Sequence, residues 1–243
     1  MKHLALIPAR GGSTGVKDKN LKQVGGESLI CKALNQCKSA GFFDQIVIST
    51  DSELIAKEIS LGNAFVDAKY ESMIRVNTEL TIHKRSSSDA QALSLISDLV
   101  FKLSSFLDFD FLWLIQPTSP FRYKEDFTNL KFLSENELGW TSIVSLKDVA
   151  ENHPDRMYQI SERYVLPLLG YQFNDNSPRQ ILSKVFIKDG AFYIFTKDNL
   201  SKKIFLGDKI LPFFREARSN INIDTEDDLL IAQFFGDLKR KEV

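Results

Sequence analysis

Cysteine and histidine are scarce in this sequence. Its 243 residues include two cysteines, Cys31 and Cys37, which form no CxxC motif, and three scattered histidines. Protein zinc sites are built from closely spaced groups of these residues. We therefore interpret both cysteines as structural and expect no zinc site.

The sequence also lacks an excess of either charge and any long apolar run. Its 31 lysines and arginines nearly balance its 32 aspartates and glutamates, so no global field favours nucleic acid or an anionic membrane. No window approaches the ~20 apolar residues of a membrane span, and the run before Pro8 is too short for a signal peptide. We therefore expect a cytoplasmic protein that binds neither nucleic acid nor membranes.

What the sequence does contain is an alternation of strands and helices. Apolar runs rich in β-branched or aromatic residues predict strands, and helical patterns lie between the first three of them. This order is typical of an α/β fold with a mostly parallel sheet. The predicted strands are 3–7, 45–50, 109–115, 141–146 and 190–195; the predicted helices are 28–40, 53–61, 86–103 and a last helix with Ile231, Phe234, Phe235 and Leu238 on one apolar stripe.

The chain from about 147 to 187 has a different character from the rest. It mixes proline, asparagine, aspartate and aromatic residues without sustained periodicity, which indicates irregular structure. Such a segment has little apolar face to pack by itself, so association with another surface is expected. We interpret it as an arm inserted in a single domain that spans 1–243.

The first predicted strand ends in the glycine-rich stretch "PARGGSTGVKDKN". Glycine permits close backbone approach, so main-chain N–H groups can point at oxygen anions. The stretch is neither a P-loop nor a GxGxxG dinucleotide motif, and alone it could equally be a surface turn. However, polar residues also follow the strands at 45–50 and 109–115, and the strand ends of a parallel sheet meet at one edge. A ligand pocket is therefore expected there.

Six segments taken in order resemble the acylneuraminate cytidylyltransferase family, the CMP-sialic acid synthetases and their relatives. They are "IPARGGSTGVKDKNL", "FDQIVISTDSELIA", "LIQPTSPFR", "HPDRMYQI", "PRQILSKVFIKDGAFYI" and "NIDTEDDL". The resemblance implies a three-layer, Rossmann-like nucleotidyltransferase fold, CTP and Mg²⁺. It also implies transfer of CMP to the anomeric hydroxyl of a sialic, legionaminic or pseudaminic type nonulosonic acid, with release of pyrophosphate.

The same resemblance assigns roles to individual residues. Arg10, Lys19 and Asn20 would hold the triphosphate, and the first two would stabilise charge at the reacting phosphorus, as phosphoryl transfer requires. Gly11, Gly12 and Ser13 would complete the phosphate loop, and Arg75 and Ser87 are the nearest matches to the base-recognition positions. The implied sugar-binding residues are Gln116, Arg156, Arg179, Gln180 and Asp189. Arg156 and Arg179 match positions that reach the neighbouring subunit's site, which implies a homodimer joined by the arm.

The metal motif departs from the family pattern. The family has DxD where this chain has Asn222 and Asp224. Since a hard cation favours carboxylates, Asp224 is the main predicted catalytic metal ligand and Asn222 a secondary one. Thr225 and Asp228 also form a capping-box pattern, so the acidic cluster has an alternative reading as a helix start.

Other departures leave the substrate open. Thr14 stands where relatives commonly carry lysine, Lys17 where they often have proline, and His83 and Asp189 where aspartate and asparagine are usual. Two alternatives therefore remain: a cytidylyltransferase for an eight-carbon sugar of the 3-deoxy-manno-octulosonate type, and a non-catalytic nucleotide-binding relative.

Overall fold

The computed structural model describes the chain apart from residues 14, 60–72, 76–79, 86–94, 150, 171–177, 216–219 and 242–243; for 73–75, 179 and 239–241 it describes the backbone alone. The five predicted strands are present with shifted ends, as are the predicted helices in their described parts. In chain order the strands are β1 (His3–Pro8), β2 (Gln23–Val24), β3 (Glu27–Ser28), β4 (Gln45–Thr50), β5 (Met73–Arg75), β6 (Leu80–Lys84), β7 (Phe111–Leu114), β8 (Ser142–Asp148), β9 (Tyr158–Ser161), β10 (Tyr164–Pro167), β11 (Phe186–Thr196) and β12 (Ile210–Phe214). The helices are α1 (Leu29–Ala40), α2 (Glu53–Ile59), α3 (Ile96–Ser104), α4 (Lys124–Asn136), α5 (Lys197–Ser201) and α6 (Glu226–Lys241).

Eight of the described strands form one sheet, in the order β12, β8, β11, β7, β1, β4, β6, β5. β1 lies inside it and pairs in parallel with β4 and β7, and β6 extends the parallel set beside β4. β11 runs antiparallel to both β7 and β8, and β5 runs antiparallel to β6. The predicted α/β fold with a mostly parallel sheet is confirmed.

Helices cover both faces of this sheet and give the molecule three layers. Ala5 and Ile7 of β1 join the apolar core on the side of α1, α2 and α4, whereas Leu4 and Leu6 join the core that includes α3 and α5. A parallel strand that is covered on both faces reads as a continuous apolar run. This is why β1 could be recognised in the sequence.

Elements with weaker patterns were missed in the sequence. α4 buries only Phe127, Leu130 and Ser134, so its apolar stripe is short. β9 and β10 pair as a separate antiparallel hairpin within the segment interpreted as an arm. Among the described helices, none has both the length and the apolar content needed to cross a membrane.

Both cysteines are free thiols, Cys31 half-buried in α1 and Cys37 fully buried. Burial raises the pKa of the Cys37 thiol to about 12, so it stays protonated and unreactive at neutral pH.

Candidate active site

The carboxyl ends of β1, β4, β6 and β7 meet at one edge of the sheet, the place where open α/β sheets bind ligands. A cavity of about 500 Å³ lies at this edge. Within the described part of the chain, its walls come from the loops after β1, β6 and β7, from the start of α3 and from the segment before α6. Seven predicted site residues lie in these walls: Arg10, Ser13, Lys19, Asn20, Gln116, Asn222 and Asp224.

The glycine-rich loop after β1 is held by its neighbours at both ends. The Gly11 N–H donates to Asp51 Oδ1 at 2.8 Å, and buried Asn20 donates from Nδ2 to the Arg10 carbonyl at 2.9 Å. A Cβ on Gly15 would lie 2.2 Å from the Asp224 carbonyl oxygen, whereas a Cβ on Gly12 would meet nothing within 4 Å. The backbone of the loop therefore rests directly on the segment before α6, and only glycine at position 15 allows that approach.

Lys19 joins the same two segments through its side chain. Its ammonium donates to the Ile223 carbonyl at 2.7 Å and forms an ion pair with Asp224 Oδ1 at 3.4 Å. The Lys19 side chain is 11% exposed and the Asp224 side chain 70%. A cation that is held by backbone on one side thus lies next to a carboxylate that is open to solvent at the cavity wall.

The acidic residues before and within α6 have separate roles. Asp228 Oδ2 accepts from the Thr225 N–H at 2.8 Å, the Thr225 hydroxyl at 2.8 Å and the Asp224 N–H at 3.0 Å, and its own N–H donates to Thr225 Oγ1 at 3.2 Å. Burial raises the pKa of Asp228, but these hydrogen bonds outweigh burial and hold it below its ordinary value. Asp228 therefore caps the helix, which leaves the Asp224 carboxylate available at the cavity.

Polar side-chain atoms converge over Gly190 in β11. A Cβ on this residue, whose φ is +78°, would lie 3.3 Å from Gln116 Oε1, 3.3 Å from Asn222 Oδ1 and 3.5 Å from Ser119 Oγ. Asn222 Oδ1 accepts from the Ser119 hydroxyl at 3.3 Å, and its Nδ2 donates to Asp224 Oδ2 at 2.6 Å. Glycine at position 190 lets the amides of Gln116 and Asn222, which line the cavity, and the Ser119 hydroxyl meet at the cavity wall.

Asp189 lies next to that glycine, but its carboxylate points into the protein. It accepts from the Ser145 hydroxyl, from the Ala191 N–H at 2.9 Å and from Arg215 Nη1 at 2.9 Å, and the residue is buried. Arg215 also pairs with Asp126 at 3.4 Å. The structure thus places Asp189 in an internal ionic network that supports β11, and not in the described lining of the cavity.

The remaining predicted residues lie away from this cavity or beyond description. Exposed Arg156 ends a 3-10 turn before β9, and exposed Gln180 borders a second cavity of about 390 Å³ together with His153. Arg179 and Arg75 are described by backbone alone, and Ser87 and Thr14 fall outside the described residues. The structure therefore does not bring Arg156 or Gln180 to the cavity of their own chain.

Arg85 is a cavity residue that the sequence analysis missed. It is buried, its backbone N–H donates to the Thr50 carbonyl at 2.8 Å, and its Nε donates to Ser49 Oγ at 2.9 Å. His83 Nδ1 lies 2.8 Å from the same Ser49 oxygen. Arg85 directly follows β6, which was not predicted as a strand. Recognising the alternation in "LTIHK" would have placed Arg85 at the ligand-binding edge.

Comparison with known proteins finds similarity to cytidylyltransferases and CMP-sugar synthases. The Cytidylyltransferase family model matches residues 4–65. An N-acylneuraminate cytidylyltransferase of Streptococcus agalactiae is 28% identical over all of this chain, which spans 55% of that relative's length. A CMP-N,N'-diacetyllegionaminic acid synthase of Legionella pneumophila is 26% identical over 99% of both chains. The chain thus covers about half of the first relative and nearly all of the second.

Solved structures share the fold at lower identity. A CMP:2-keto-3-deoxy-manno-octonic acid synthetase complexed with CTP aligns over all of both chains with a TM-score of 0.67 and 14% identity. A 4-diphosphocytidyl-2C-methyl-D-erythritol synthase of Anaerococcus prevotii aligns over 96% of this chain and 97% of its own, with a TM-score of 0.60 and 16% identity. These neighbours confirm the three-layer α/β fold.

Proposed function

We propose that this chain, whose residues 4–65 match the Cytidylyltransferase family model, transfers CMP from CTP to the anomeric hydroxyl of a nonulosonic acid of the sialic, legionaminic or pseudaminic type. One observation carries the proposal: the cations Arg10 and Lys19 and the exposed carboxylate of Asp224 line one cavity at the carboxyl edge of the sheet. The names of the relatives supply the substrate class.

The cations of the cavity suit the triphosphate. The anomeric oxygen bonds to the α-phosphorus while the bond from that phosphorus to the departing pyrophosphate breaks, and the hydroxyl proton passes to solvent. The reaction therefore needs positive charge fixed beside the transferring and leaving oxygens. Lys19 is fixed by the Ile223 carbonyl, and Arg10 lies in the loop that Asn20 and Asp51 hold.

The donor set fits a Mg²⁺ ion that arrives with the nucleotide. The described residues contain no group of three or more histidine, cysteine, aspartate or glutamate side chains able to hold a metal. Mg²⁺ is commonly bound by one or two carboxylates together with substrate phosphates, so the single exposed carboxylate of Asp224 is sufficient. Asn222 would be a secondary ligand through Oδ1. The ion would supply further positive charge against the triphosphate.

We assign the sugar to the Gln116 side of the cavity and its carboxylate to arginines from a second subunit. Gln116 lies in the wall beside Asn222. Arg156, Arg179 and Gln180 belong to the arm, whose hairpin exposes Ile160 and Val165 to solvent. An exposed apolar group of this kind is typical of an interface, which supports a homodimer. Asp189 would act indirectly by holding β11. We further propose that the protein acts in the cytoplasm.

The test is pyrophosphate release from CTP and Mg²⁺ over a panel of N-acetylneuraminate, legionaminate and pseudaminate, with 3-deoxy-manno-octulosonate as the comparison sugar. We expect release with one of the nonulosonic acids. Preferred turnover of the eight-carbon sugar would favour the alternative cytidylyltransferase. CTP binding without turnover of any sugar, unrepaired by Asn222→Asp, would favour a non-catalytic relative.

A further inference from the structure

The Asp224 carboxylate at the cavity wall has a hydrogen-bond donor of its own chain at each oxygen. Asn222 Nδ2 donates to Oδ2 at 2.6 Å, and the Lys19 ammonium lies 3.4 Å from Oδ1. The Asp224 side chain is nevertheless 70% exposed, so a ligand can still reach it from solvent. The carboxylate is therefore oriented by the protein before any ligand arrives.

The amide of Asn222 is held in one orientation. Its Oδ1 accepts a hydrogen bond from the Ser119 hydroxyl at 3.3 Å. A reversed amide would place its oxygen against an oxygen of Asp224, and an amide oxygen and a carboxylate both accept hydrogen bonds but donate none. The backbone next to Asn222 is also held, because the Ile223 N–H donates to the Thr118 carbonyl at 2.8 Å. These contacts keep Nδ2 directed at Asp224.

The described lining of the cavity carries more positive than negative charge. Its cationic side chains are Arg10, Lys19 and Arg85, and its one carboxylate is that of Asp224. The Lys19 side chain is only 11% exposed, and solvent ions screen a buried charge little. A divalent cation that approaches the nucleotide-free protein therefore meets the repulsion of Lys19 beside the carboxylate that could bind it.

A nucleoside triphosphate reverses this balance. Its negative charges offset the cations of the lining, and Mg²⁺ is commonly shared between one or two carboxylates and substrate phosphates. This step rests on the proposed function, which places the triphosphate beside Arg10 and Lys19. Nucleotide and metal then strengthen each other's binding by the same factor.

We propose that Asn222 is a positioning residue that makes metal binding depend on the nucleotide. Its amide orients the Asp224 carboxylate without adding a second negative charge. The nucleotide-free protein then binds a divalent cation only weakly, and the ion binds once the triphosphate is in place. An aspartate at position 222 would instead put two carboxylates together, a pair that attracts a cation without phosphate. A contact of Asn222 Oδ1 with the ion adds no charge, so it leaves this dependence unchanged.

Electron paramagnetic resonance of Mn²⁺, a substitute for Mg²⁺, tests the proposal on the nucleotide-free protein. We expect Asn222→Asp to bind Mn²⁺ at least about tenfold more tightly than the wild type, because ligand charge tunes the affinity of such sites. The matched control combines Asn222→Asp with Asp224→Asn. It keeps the wild-type charge and a single carboxylate, so its Mn²⁺ affinity should return to the wild-type value. Equal Mn²⁺ affinities of the wild type and Asn222→Asp would overturn the proposal.

A second measurement uses the wild type and so does not depend on the folding of a variant. Water proton relaxation is enhanced when Mn²⁺ is bound to a protein. We expect strong enhancement when the chain, Mn²⁺ and CTP are combined, and little when CTP is left out. Equal enhancement with and without CTP, or none in either case, would overturn the proposal. Failure of the proposed CMP transfer would appear differently, as this same binding pattern without pyrophosphate release from any sugar of the panel.

The variant Asn222→Ala separates positioning from charge. It adds no carboxylate, so the nucleotide-free protein should bind Mn²⁺ as weakly as the wild type does. With CTP present, the Mn²⁺ affinity should fall about tenfold, a loss typical of one hydrogen bond to a charged group. Exposed Asn129→Ala on α4 is the control. Unchanged Mn²⁺ affinity of the Asn222→Ala complex with CTP would overturn the positioning role.

Discussion

The cavity edge and the arm differ in how far contacts within one chain hold them in place. At the cavity, Gly11, Asn20 and Lys19 are all bonded to neighbouring segments of the same chain. In the arm, the hairpin of β9 and β10 has its own two-stranded sheet, and Ile160 is 83% exposed. The cavity edge is thus organised by contacts within one chain, whereas the arm presents apolar surface outward.

This difference indicates a division of labour. Charge must be fixed before reaction at a phosphoryl-transfer site, because reorganising dipoles during the step is costly. A surface that closes over the sugar can instead come from a neighbour. Changes at the cavity should therefore act on CTP chemistry at constant assembly, and changes in the arm should act on assembly and on the sugar.

The largest effect is expected at Lys19. Lys19→Ala removes the cation next to Asp224 and should lower kcat/KM for CTP by about 10²–10³-fold, the range for loss of one charge-stabilising donor. Lys17→Ala is the control, since exposed Lys17 is not in the described cavity wall. Steady-state pyrophosphate release measures both. Similar losses of kcat/KM in the two variants would contradict the assignment of the key positive charge to Lys19 alone. They would show that Lys17 supplies the phosphate-facing charge that is missing at Thr14.

A slightly smaller effect is expected from the close approach at Gly15. Gly15→Ala forces the loop away from the Asp224 carbonyl and should cost about 1–3 kcal/mol of unfolding free energy, with weaker CTP binding. Gly12→Ala has open space around its Cβ and should change neither value appreciably. Denaturant unfolding and calorimetry with CTP provide the measurements. A stable Gly15→Ala protein with normal CTP affinity would mean that the two segments do not touch.

The arm prediction concerns the sugar. Ile160→Glu should reduce the sedimenting mass and raise KM for the sugar about tenfold or more, a loss of ~1.4 kcal/mol, while CTP affinity changes little. Leu138→Glu, at an exposed loop position outside the arm, serves as the control. A reduced mass with unchanged sugar KM would show that the partner contributes nothing to the site.

Arg85 extends the comparison to the far side of the cavity. Arg85→Ala should raise the Kd for CTP about tenfold at unchanged assembly mass, because a buried guanidinium that is oriented by Ser49 is lost. Arg163→Ala, in the exposed turn of the arm hairpin, is the control. Calorimetry measures the CTP affinity of both variants. If Arg85→Ala binds CTP as tightly as Arg163→Ala does, Arg85 does not take part in nucleotide binding.

The smallest effect concerns the helix cap next to Asp224. Asp228→Ala should lower the unfolding free energy by about 1 kcal/mol. Since the folded-state pKa of Asp228 is lowered, its stabilisation is present above the unfolded pKa of about 3.9 and is lost as pH falls through the folded value. Unfolding curves of both proteins between pH 7 and pH 2 should therefore converge at the acid end. A constant difference would rule out an ionised cap, and exposed Glu226→Ala provides the control.

The parts predictable from the sequence are those with strong local patterns. β1 is covered on both faces, so "LALI" reads as a continuous apolar run, and the glycines after it mark the loop. The Thr225 and Asp228 spacing predicted the helix cap, and the sequence analysis predicted Asp224 as the main metal ligand. The structure separates Asp228 from Asp224 through their hydrogen-bond partners.

The parts that could not be predicted depend on contacts distant in sequence. The resemblance implied Asp189 as a sugar ligand, but its buried carboxylate pairs with Arg215, which comes from the chain after β12. The stripe of α6 gave no indication of which face would be buried, because the inner contact uses the small residues Ala232 and Gly236. Arg85 was missed together with the short strand that positions it.

The most direct test of the central claim is ³¹P NMR of a reaction containing the purified chain, CTP, Mg²⁺ and the preferred nonulosonic acid. The account predicts that a CMP–sugar phosphodiester signal and pyrophosphate appear in equal amounts while CTP disappears, and that Lys19→Ala slows both signals together. Pyrophosphate accompanied by free CMP, with no phosphodiester at any time, would contradict it.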